Sequence, residues 1–362
     1  PGAMTSCAQA IRISGSPFGT SLVRLARPFP LMGHIAFGVI ERGTNVIQVR
    51  PTTICFHDCI FCSVDAGKSS RFRASEYIVE DVSWLAEWVE DVARIKGGGV
   101  EALIDGVGEP ISHPKIVELV RLLSSSDHID RVALETHGGS LSPQLVRRLA
   151  EAGLDRINLS IDTLDPQKAK ALTNSPWYDV ARIKKVVELA VKETSIDVVL
   201  TPVVVPGINE ADMKDLIEWA RGLNLGSKSG WPSGVLIQKY EVHRYGRKVK
   251  GVKPWTWKKF YEYLRELEER TGYKLVLRPE EVGIRRAPRV SKPYVVGQKV
   301  SVEIVAPGWL KGELLGCDED GLRSFTVVGL KRLSVEGYRA LRKTVRSVII
   351  RDSDNIYIAR PA

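Results

Sequence analysis

The sequence predicts an α/β protein: a partial (β/α)6 TIM-like barrel followed by a C-terminal small antiparallel β-barrel. Two observations predict it. Between residues 45 and 279, short β-branched runs alternate six times with longer segments of helical periodicity. After residue 296 the rhythm changes to short alternating runs separated by Gly, Pro and Asp turns. A third observation says where the chemistry belongs: three cysteines crowd directly behind the first of the runs.

Taken in order, residues 1–44 form an N-terminal extension with little periodicity, expected to be a cap or edge element, and the opening PGAM reads as the remnant of a cleaved tag. The barrel is assigned to 45–279. Its strands are NVIQVR (45–50), VEALIDGVG (100–108), RVALETHG (131–138), RINLSID (156–162), IDVVLTPVVV (196–205) and VLIQKY (235–240). The segments between them, from YIVEDVSWLAEWVEDVARI to WTWKKFYEYLRELEERTG, place apolar residues three and four apart, as amphipathic helices do. Strand–helix alternation of this kind implies parallel strands joined by right-handed crossovers, with an open doubly wound sheet as the competing arrangement. In either, function is expected in loops at the carboxyl ends of the strands. Residues 280–296, rich in Pro and Arg, read as a basic linker, and 297–362 as the small barrel.

Composition bounds the function. Hydrophobic residues make up 44% and charged residues 26% of the 362, ordinary values for a soluble globular chain. No apolar run approaches the roughly 18 residues of a membrane span, and no secretory signal is visible, so a cytoplasmic protein with reduced thiols is expected. Lys and Arg outnumber Asp and Glu by 52 to 43, and the whole excess lies in residues 240–300, where the count is 16 to 7; elsewhere there are 36 of each sign. Such concentration points to a polyanionic partner.

The cysteine loop reads RPTTICFHDCIFCSVDAG (50–67), with Cys55, Cys59 and Cys62 spaced C-x3-C-x2-C. Three thiolates are one ligand short of a closed tetrahedral zinc site, for which His57 or the distant Cys317 would have to serve. A disulfide within the loop would leave an odd thiol. A [4Fe–4S] cluster held by three thiolates leaves one iron open to an external ligand.

The loop resembles that of the radical S-adenosylmethionine (radical SAM) superfamily, including an aromatic residue, Phe61, before the last cysteine. Four later stretches agree with it in order. DGVGEP (105–110) is similar to the family's GGE-type motif, which implies that Gly106, Gly108, Glu109 and Pro110 hold the ammonium group of the methionine moiety. LETHGG (134–139) is similar to a T-N-G segment, with Thr136 and Gly138 matching and His137 standing where relatives carry Asn. NLSID (158–162) places Ser160 and Asp162 like residues that contact the ribose or the methionine carboxylate. VVVPGINE (203–210) is similar to a segment that packs on adenine, implying Val205, Gly207 and Ile208. The resemblance covers residues 46–240 and implies two cofactors, a [4Fe–4S] cluster and S-adenosylmethionine (SAM). It further implies an electron donor such as ferredoxin or flavodoxin, reductive cleavage of SAM, and hydrogen abstraction by the resulting 5'-deoxyadenosyl radical.

For the substrate, the terminal segment resembles the TRAM and other oligonucleotide-binding-type barrels appended to RNA-modifying enzymes, and the whole-chain pattern is similar to an archaeal group of radical SAM proteins. EVHRYGRKVKGVKPWTWKKFYEY (241–263) interleaves cations with aromatics. Arg244, Arg247, Lys248, Lys250, Lys258 and Lys259 are therefore expected to meet phosphates, with Tyr245, Trp255 and Trp257 available for stacking. RNA modification, with structured tRNA as the partner, is the function expected. The alternative is a peptide or small metabolite, with the terminal barrel as a docking module. A methylation that uses two cysteines outside the cluster loop would assign catalytic roles to Cys7 and Cys317, the two others in the chain.

Overall fold

The computed structural model describes residues 7–330 and 343–362; the opening PGAM lies outside the described residues. In chain order the strands are β1 (Ile11–Gly15), β2 (Ser21–Leu25), β3 (Gly38–Glu41), β4 (Val46–Arg50), β5 (Ser75–Val79), β6 (Val100–Ile104), β7 (Ile129–Thr136), β8 (Arg156–Leu159), β9 (Asp197–Leu200), β10 (Val203–Val204), β11 (Gln238–Lys239), β12 (Lys299–Pro307), β13 (Glu313–Asp318), β14 (Ser324–Val328), β15 (Thr344–Arg351) and β16 (Ile358–Pro361). The helices are α1 (Val82–Ile95), α2 (Ile116–Ser124), α3 (Pro143–Glu151), α4 (Pro166–Thr173), α5 (Val180–Glu193), α6 (Met213–Gly222) and α7 (Trp257–Thr271).

The central sheet runs β3-β4-β6-β7-β8-β9, parallel from β4 onward, and α/β alternation holds as the sequence implies. The sixth expected strand is reduced: Val235 makes an isolated bridge to Leu200, and β11 pairs for two residues with β10. The N-terminal extension is built into the fold at two places. The β1–β2 hairpin pairs in parallel with β5, and β3 adds antiparallel to β4 as an edge strand. The basic linker also packs on the barrel: Asn45 donates from its side chain to Gly283 O, and the buried Lys96–Glu41 pair donates on to Pro288 O.

Alternation along the parallel strands sorts the two faces of the sheet. Ile47, Val49, Ala102, Ile104, Val132, Leu134, Ile157, Leu159, Val198 and Leu200 are buried beneath the helices. The other face carries Gln48, Arg50, Glu101, Asp105, Glu135, Arg156 and Asn158, so the lumen of the partial barrel is polar. Its charges are largely paired: Arg50 Nε lies 3.2 Å from Asp105 Oδ1, Gln48 Nε2 2.5 Å from Asp105 Oδ2, and Arg156 Nη2 2.5 Å from Glu101 Oε1.

The terminal module is a closed barrel of order β12-β13-β14-β16-β15. One of its pairings, β14 with β16, is parallel, against the all-antiparallel expectation. It rests on the cysteine-loop side of the large barrel, where Tyr77 Oη donates to Pro307 O (2.9 Å) and Ala74 N to Trp309 O (2.8 Å).

Candidate active site

The carboxyl ends of β4, β6, β7 and β8 surround a cavity of about 300 Å³. Cys55, Cys59 and Cys62 all line it, with Gly106, Gly108, Glu109, Pro110, Thr136, His137 and Ser160 facing them. Residues separated by more than 100 positions are thus gathered around one space, as the sequence motifs imply.

The cysteine loop is held by three sets of contacts. On one side the fully buried Arg73 donates to Thr53 O (2.8 Å), to Glu76 and to Val107 O, joining the loop to the GVGEP turn. On the other, Arg247 donates to Asp58 Oδ1 (2.7 Å), Asp65 Oδ1 (3.0 Å), Cys59 O (2.9 Å) and Ala66 O (2.6 Å). Beneath it, Asp58 N and Ile60 N donate to Thr173 O and Leu172 O at the end of α4. That helix, DPQKAKALT, is short and weakly amphipathic, so periodicity does not announce it.

The GVGEP turn is pressed against the loop. A Cβ on Gly108 would lie 2.3 Å from the carbonyl carbon and oxygen of Thr53, so only glycine fits there. Glu109 N donates to Ile54 O (2.8 Å), and Glu109 Oε2 accepts from His137 N (2.9 Å). Its other oxygen, Oε1, is buried with no partner among the described residues. Burial raises the Glu109 pKa despite the opposing influence of His137 and these hydrogen bonds. An acceptor of this kind at the cavity wall fits a cationic ligand group such as the ammonium of SAM.

His137, in place of an Asn, pairs Nδ1 with Ser160 O (3.0 Å) and has Nε2 3.9 Å from Cys59 Sγ. Burial alone would lower its pKa, but Glu109 and Asp162 outweigh burial and raise it. His57 packs beside it, ring centroids 5.0 Å apart, and stacks on Trp177 at 4.8 Å. Burial, helped by His137, lowers the His57 pKa to about 3. Neither His57 nor Trp177 belonged to the expected pocket.

The donor set fits an iron–sulfur cluster better than a single ion. Among the described residues, only Cys7, Glu303 and Cys317 bring three ligand atoms within 4.8 Å of one another, so the loop thiols are not gathered around one point. The zinc alternative also lacks its fourth ligand. Cys317 is disulfide-bonded to Cys7, while His57 Nε2 faces Glu109 Oε2 at 3.9 Å. Burial raises the pKa of both Cys55 and Cys59 well above the usual thiol value, so loading the site must release protons.

Several expected residues sit elsewhere. Asp162 does not line the cavity; its Oδ1 accepts from Val203 N (2.8 Å), and burial pushes its pKa up to about 6. Val205 is fully buried in an apolar group with Phe61, Cys59, Tyr240 and Val249, and Ile208 packs against the same group; neither Val205 nor Ile208 lines the cavity, whereas the expected Phe61 does. The loop that carries them is braced by Asn209, which sequence reading missed: it accepts from Val205 N (2.7 Å) and donates to Asp162 O and Val203 O. Arg247 is corrected from phosphate candidate to loop clamp, because its guanidinium is committed to four acceptors. Cys7 and Cys317 are corrected too. A methyl-carrying pair needs a free thiol at the cavity, whereas these two are bonded to each other and neither lines it, which also revises the expectation of wholly reduced thiols.

Comparison with known proteins agrees with this geometry. Residues 49–220 match the family model of the radical SAM superfamily. An uncharacterized protein of Methanocaldococcus jannaschii is 35% identical over 353 residues, covering 93% of this chain and 80% of its own length. The chain belongs to the radical SAM superfamily. Among superfamily members, GTP 3',8-cyclase of Chlorobaculum tepidum is 30% identical over 180 residues, 50% of this chain and 51% of the cyclase. The chain thus spans about half the length of that enzyme. Two solved structures align more distantly: SuiB of Streptococcus suis bound to S-adenosylmethionine, at 19% identity and TM-score 0.46 over 64% of this chain and 48% of SuiB; and TYW1 with a lysine–pyruvate adduct, at 17% and 0.47 over 69% and 81%.

Membership brings two cofactors, a [4Fe–4S] cluster and SAM, and the residues above fit them. Bound there, they supply one-electron cleavage of SAM and abstraction of hydrogen from an unreactive C–H. The chain's own part is to keep the three thiols in one rigid loop through Arg73 and Arg247, and to present Glu109 and the GVGEP backbone across the cavity. Among the described residues, no helix is long and apolar enough to cross a membrane.

Proposed function

We propose that this radical SAM enzyme modifies a nucleoside in RNA, with structured tRNA as the substrate class. One observation carries the reading. The wall of the cavity formed by Gln238, Lys239, Tyr240, Glu241 and His243 runs without a break into the exposed basic and aromatic segment. Arg244, Lys248, Lys250, Lys258 and Lys259 are exposed there, beside Tyr245 and Trp257, whose relative exposures are 41% and 55%. Lys239 Nζ lies 4.9 Å from the Trp257 ring centre, tying the start of α7 to the cavity wall. A flipped nucleotide entering the cavity would leave its flanking phosphates and bases over this segment. GTP 3',8-cyclases, which share half the chain, are named for a nucleotide, which is consistent with a nucleoside in this barrel. The pairing of Cys7 with Cys317 removes the basis for a two-cysteine methylation, so the reading names no product.

The test is to reconstitute the cluster anaerobically, add SAM and a strong reductant, and quantify 5'-deoxyadenosine with and without bulk unmodified tRNA. Several-fold stimulation is expected. If the five exposed cations meet phosphates, log Kd for the tRNA should rise with log salt with a slope of about 4. Cleavage without stimulation by tRNA would turn the assignment to a peptide or small metabolite.

A further inference from the structure

Glu135 stands out among the acids of the lumen. It lies on the polar face of β7, half-buried, and lines the cavity between the cysteine loop and the paired charges below. Each neighbouring carboxylate has a partner. Asp105 accepts from Gln48 and Arg50, Glu101 from Arg156, Asp162 from Val203 N, and Glu241 pairs with Lys239 at 3.0 Å. The Glu135 carboxylate makes no hydrogen bond and no ion pair with any described residue. Of the two cationic groups that act on it, His137 is held by Ser160 O and Arg50 is spent on Asp105 and on Ile35 O.

We propose that Glu135 is the specificity residue of the cavity, accepting two adjacent N–H donors from the substrate, the edge that guanine presents. The inference rests on the nucleoside reading above for the choice of ligand. Glu109 and Glu135 both line the cavity with no described lysine or arginine paired to either, which disfavours phosphate there, so it is the base that enters while phosphates remain over Arg244 and the lysines. Of the four standard bases, guanine alone sets two N–H donors side by side, at N1 and N2, and these match the two oxygens of a carboxylate. Adenine and cytosine place a ring acceptor next to their amino group, which would face a carboxylate lone pair; uracil has a single N–H between two carbonyls. Burial, reinforced by Asp105, raises the Glu135 pKa to about 7, as suits an acceptor that awaits donors.

The experiment is equilibrium dialysis of the reconstituted, SAM-bound enzyme against labelled guanosine, inosine, adenosine and cytidine. Inosine lacks the N2 donor and is otherwise guanosine. Guanosine is expected to bind at least about 10-fold more tightly than inosine. Glu135→Gln, checked for cluster absorbance and SAM affinity, should bring the two within about twofold. Equal binding of the four nucleosides by the unaltered enzyme overturns the proposal with no variant needed. So does a Glu135→Gln enzyme that keeps the preference, or one that loses SAM affinity instead, which would make Glu135 a cofactor contact. The two readings fail separately. A guanosine preference without tRNA stimulation sinks the RNA assignment alone, and tRNA stimulation without the preference sinks only the role of Glu135.

Discussion

Replacing Arg247 by Ala should loosen the cysteine loop and cost the protein its cluster. The side chain is only 14% exposed and lies between Asp58 and Asp65, each with a side-chain exposure of 3%. Removing one member of a buried ion pair typically costs about 3–5 kcal/mol, because the remaining charge has lost its compensation. Here the carboxylates keep other donors: Asp58 retains Ser69 and Asn174, and Asp65 retains the amides of Arg71 and Phe72. That residual solvation pulls the figure toward the low end. The carbonyls of Cys59 and Ala66, which also lose their donor, push it back up by about 0.5 kcal/mol each. A net cost of about 3–4 kcal/mol follows, concentrated in residues 58–66.

If that cost falls on local opening of the loop, thiols of the apoprotein should become exposed roughly 150- to 900-fold more often. Cys59 and Cys62 in Arg247→Ala apoprotein should then react with Ellman's reagent correspondingly faster, and iron per chain after reconstitution should drop well below the unaltered value. Arg247→Lys should fall between, since an ammonium restores charge but cannot span four acceptors. The reasoning is refuted if Arg247→Ala keeps thiol protection and iron content while tRNA binding loses about one unit of salt dependence. Arg247 would then be a phosphate contact after all.

Three other expectations follow from the same structure. Gly108→Ala should weaken SAM binding by at least about 10-fold with the cluster still loaded, whereas Gly106→Ala, whose Cβ would lie 3.2 Å from Thr52 O, should be far milder; isothermal titration of the holoenzyme with SAM separates the two. Glu135 has a folded pKa raised to about 7, so the folded state holds its proton across about pH 4.5–7 while the unfolded state releases it, and its contribution to stability falls as pH rises through that window. Glu135→Gln apoprotein should therefore be more stable than the unaltered chain at pH 8, by up to about 3 kcal/mol, with no difference below pH 4.5; equal urea midpoints at pH 8 would contradict the assigned burial. Cys317→Ser should lower apoprotein stability, by about 6 kcal/mol in the limit of pure loop closure, since the Cys7–Cys317 bond spans 310 residues. It should leave 5'-deoxyadenosine formation by the holoenzyme intact, and loss of that activity would return Cys317 to a catalytic role.

The barrel and its cysteine loop were legible because both depend on local pattern. Strand–helix alternation is a repeated one-dimensional signal, and C-x3-C-x2-C with GVGEP and NLSID lies at the ends of runs that the pattern already marks as strands. What stayed hidden depends on partners far away in the chain. Arg247 reads as one more cation in a basic stretch, and only the fold reveals that Asp58 and Asp65, about 180 residues earlier, claim it. Asp162 and Val205 sit at the right strand ends, yet the hydrogen bond to Val203 N and the packing on Tyr240 take them up, and neither lines the cavity. α4 escaped notice because its value is positional, two carbonyls that hold the cysteine loop, and a helix can supply those without an apolar stripe. β3 and the β1–β2 hairpin are short; turn residues such as Pro17, Gly19 and Gly43 mark their tips, but nothing local says that β2 pairs with the distant β5.

The polar lumen was written in the strands but calls for a different inference from them. A parallel sheet covered by helices on both faces shows near-continuous apolar runs. NVIQVR and RVALET alternate instead, with Gln48, Arg50 and Glu135 on the second beat. In a parallel sheet such alternation means that one face meets water or a ligand, which a closed, side-chain-filled barrel core would not permit. The partial barrel is therefore open inside by sequence as well as by shape. Most of its charged groups are neutralised in pairs, which suits the neutral base of the proposed substrate beside the cofactors better than a polyanion. The surplus cations lie outside, beyond the mouth. On the proposed reading, this division separates what the enzyme would hold by charge from what it would read by hydrogen bonds, and it is why Glu135, a lumen acid with no hydrogen-bond or ion-pair partner among the described residues, is where selectivity should be sought.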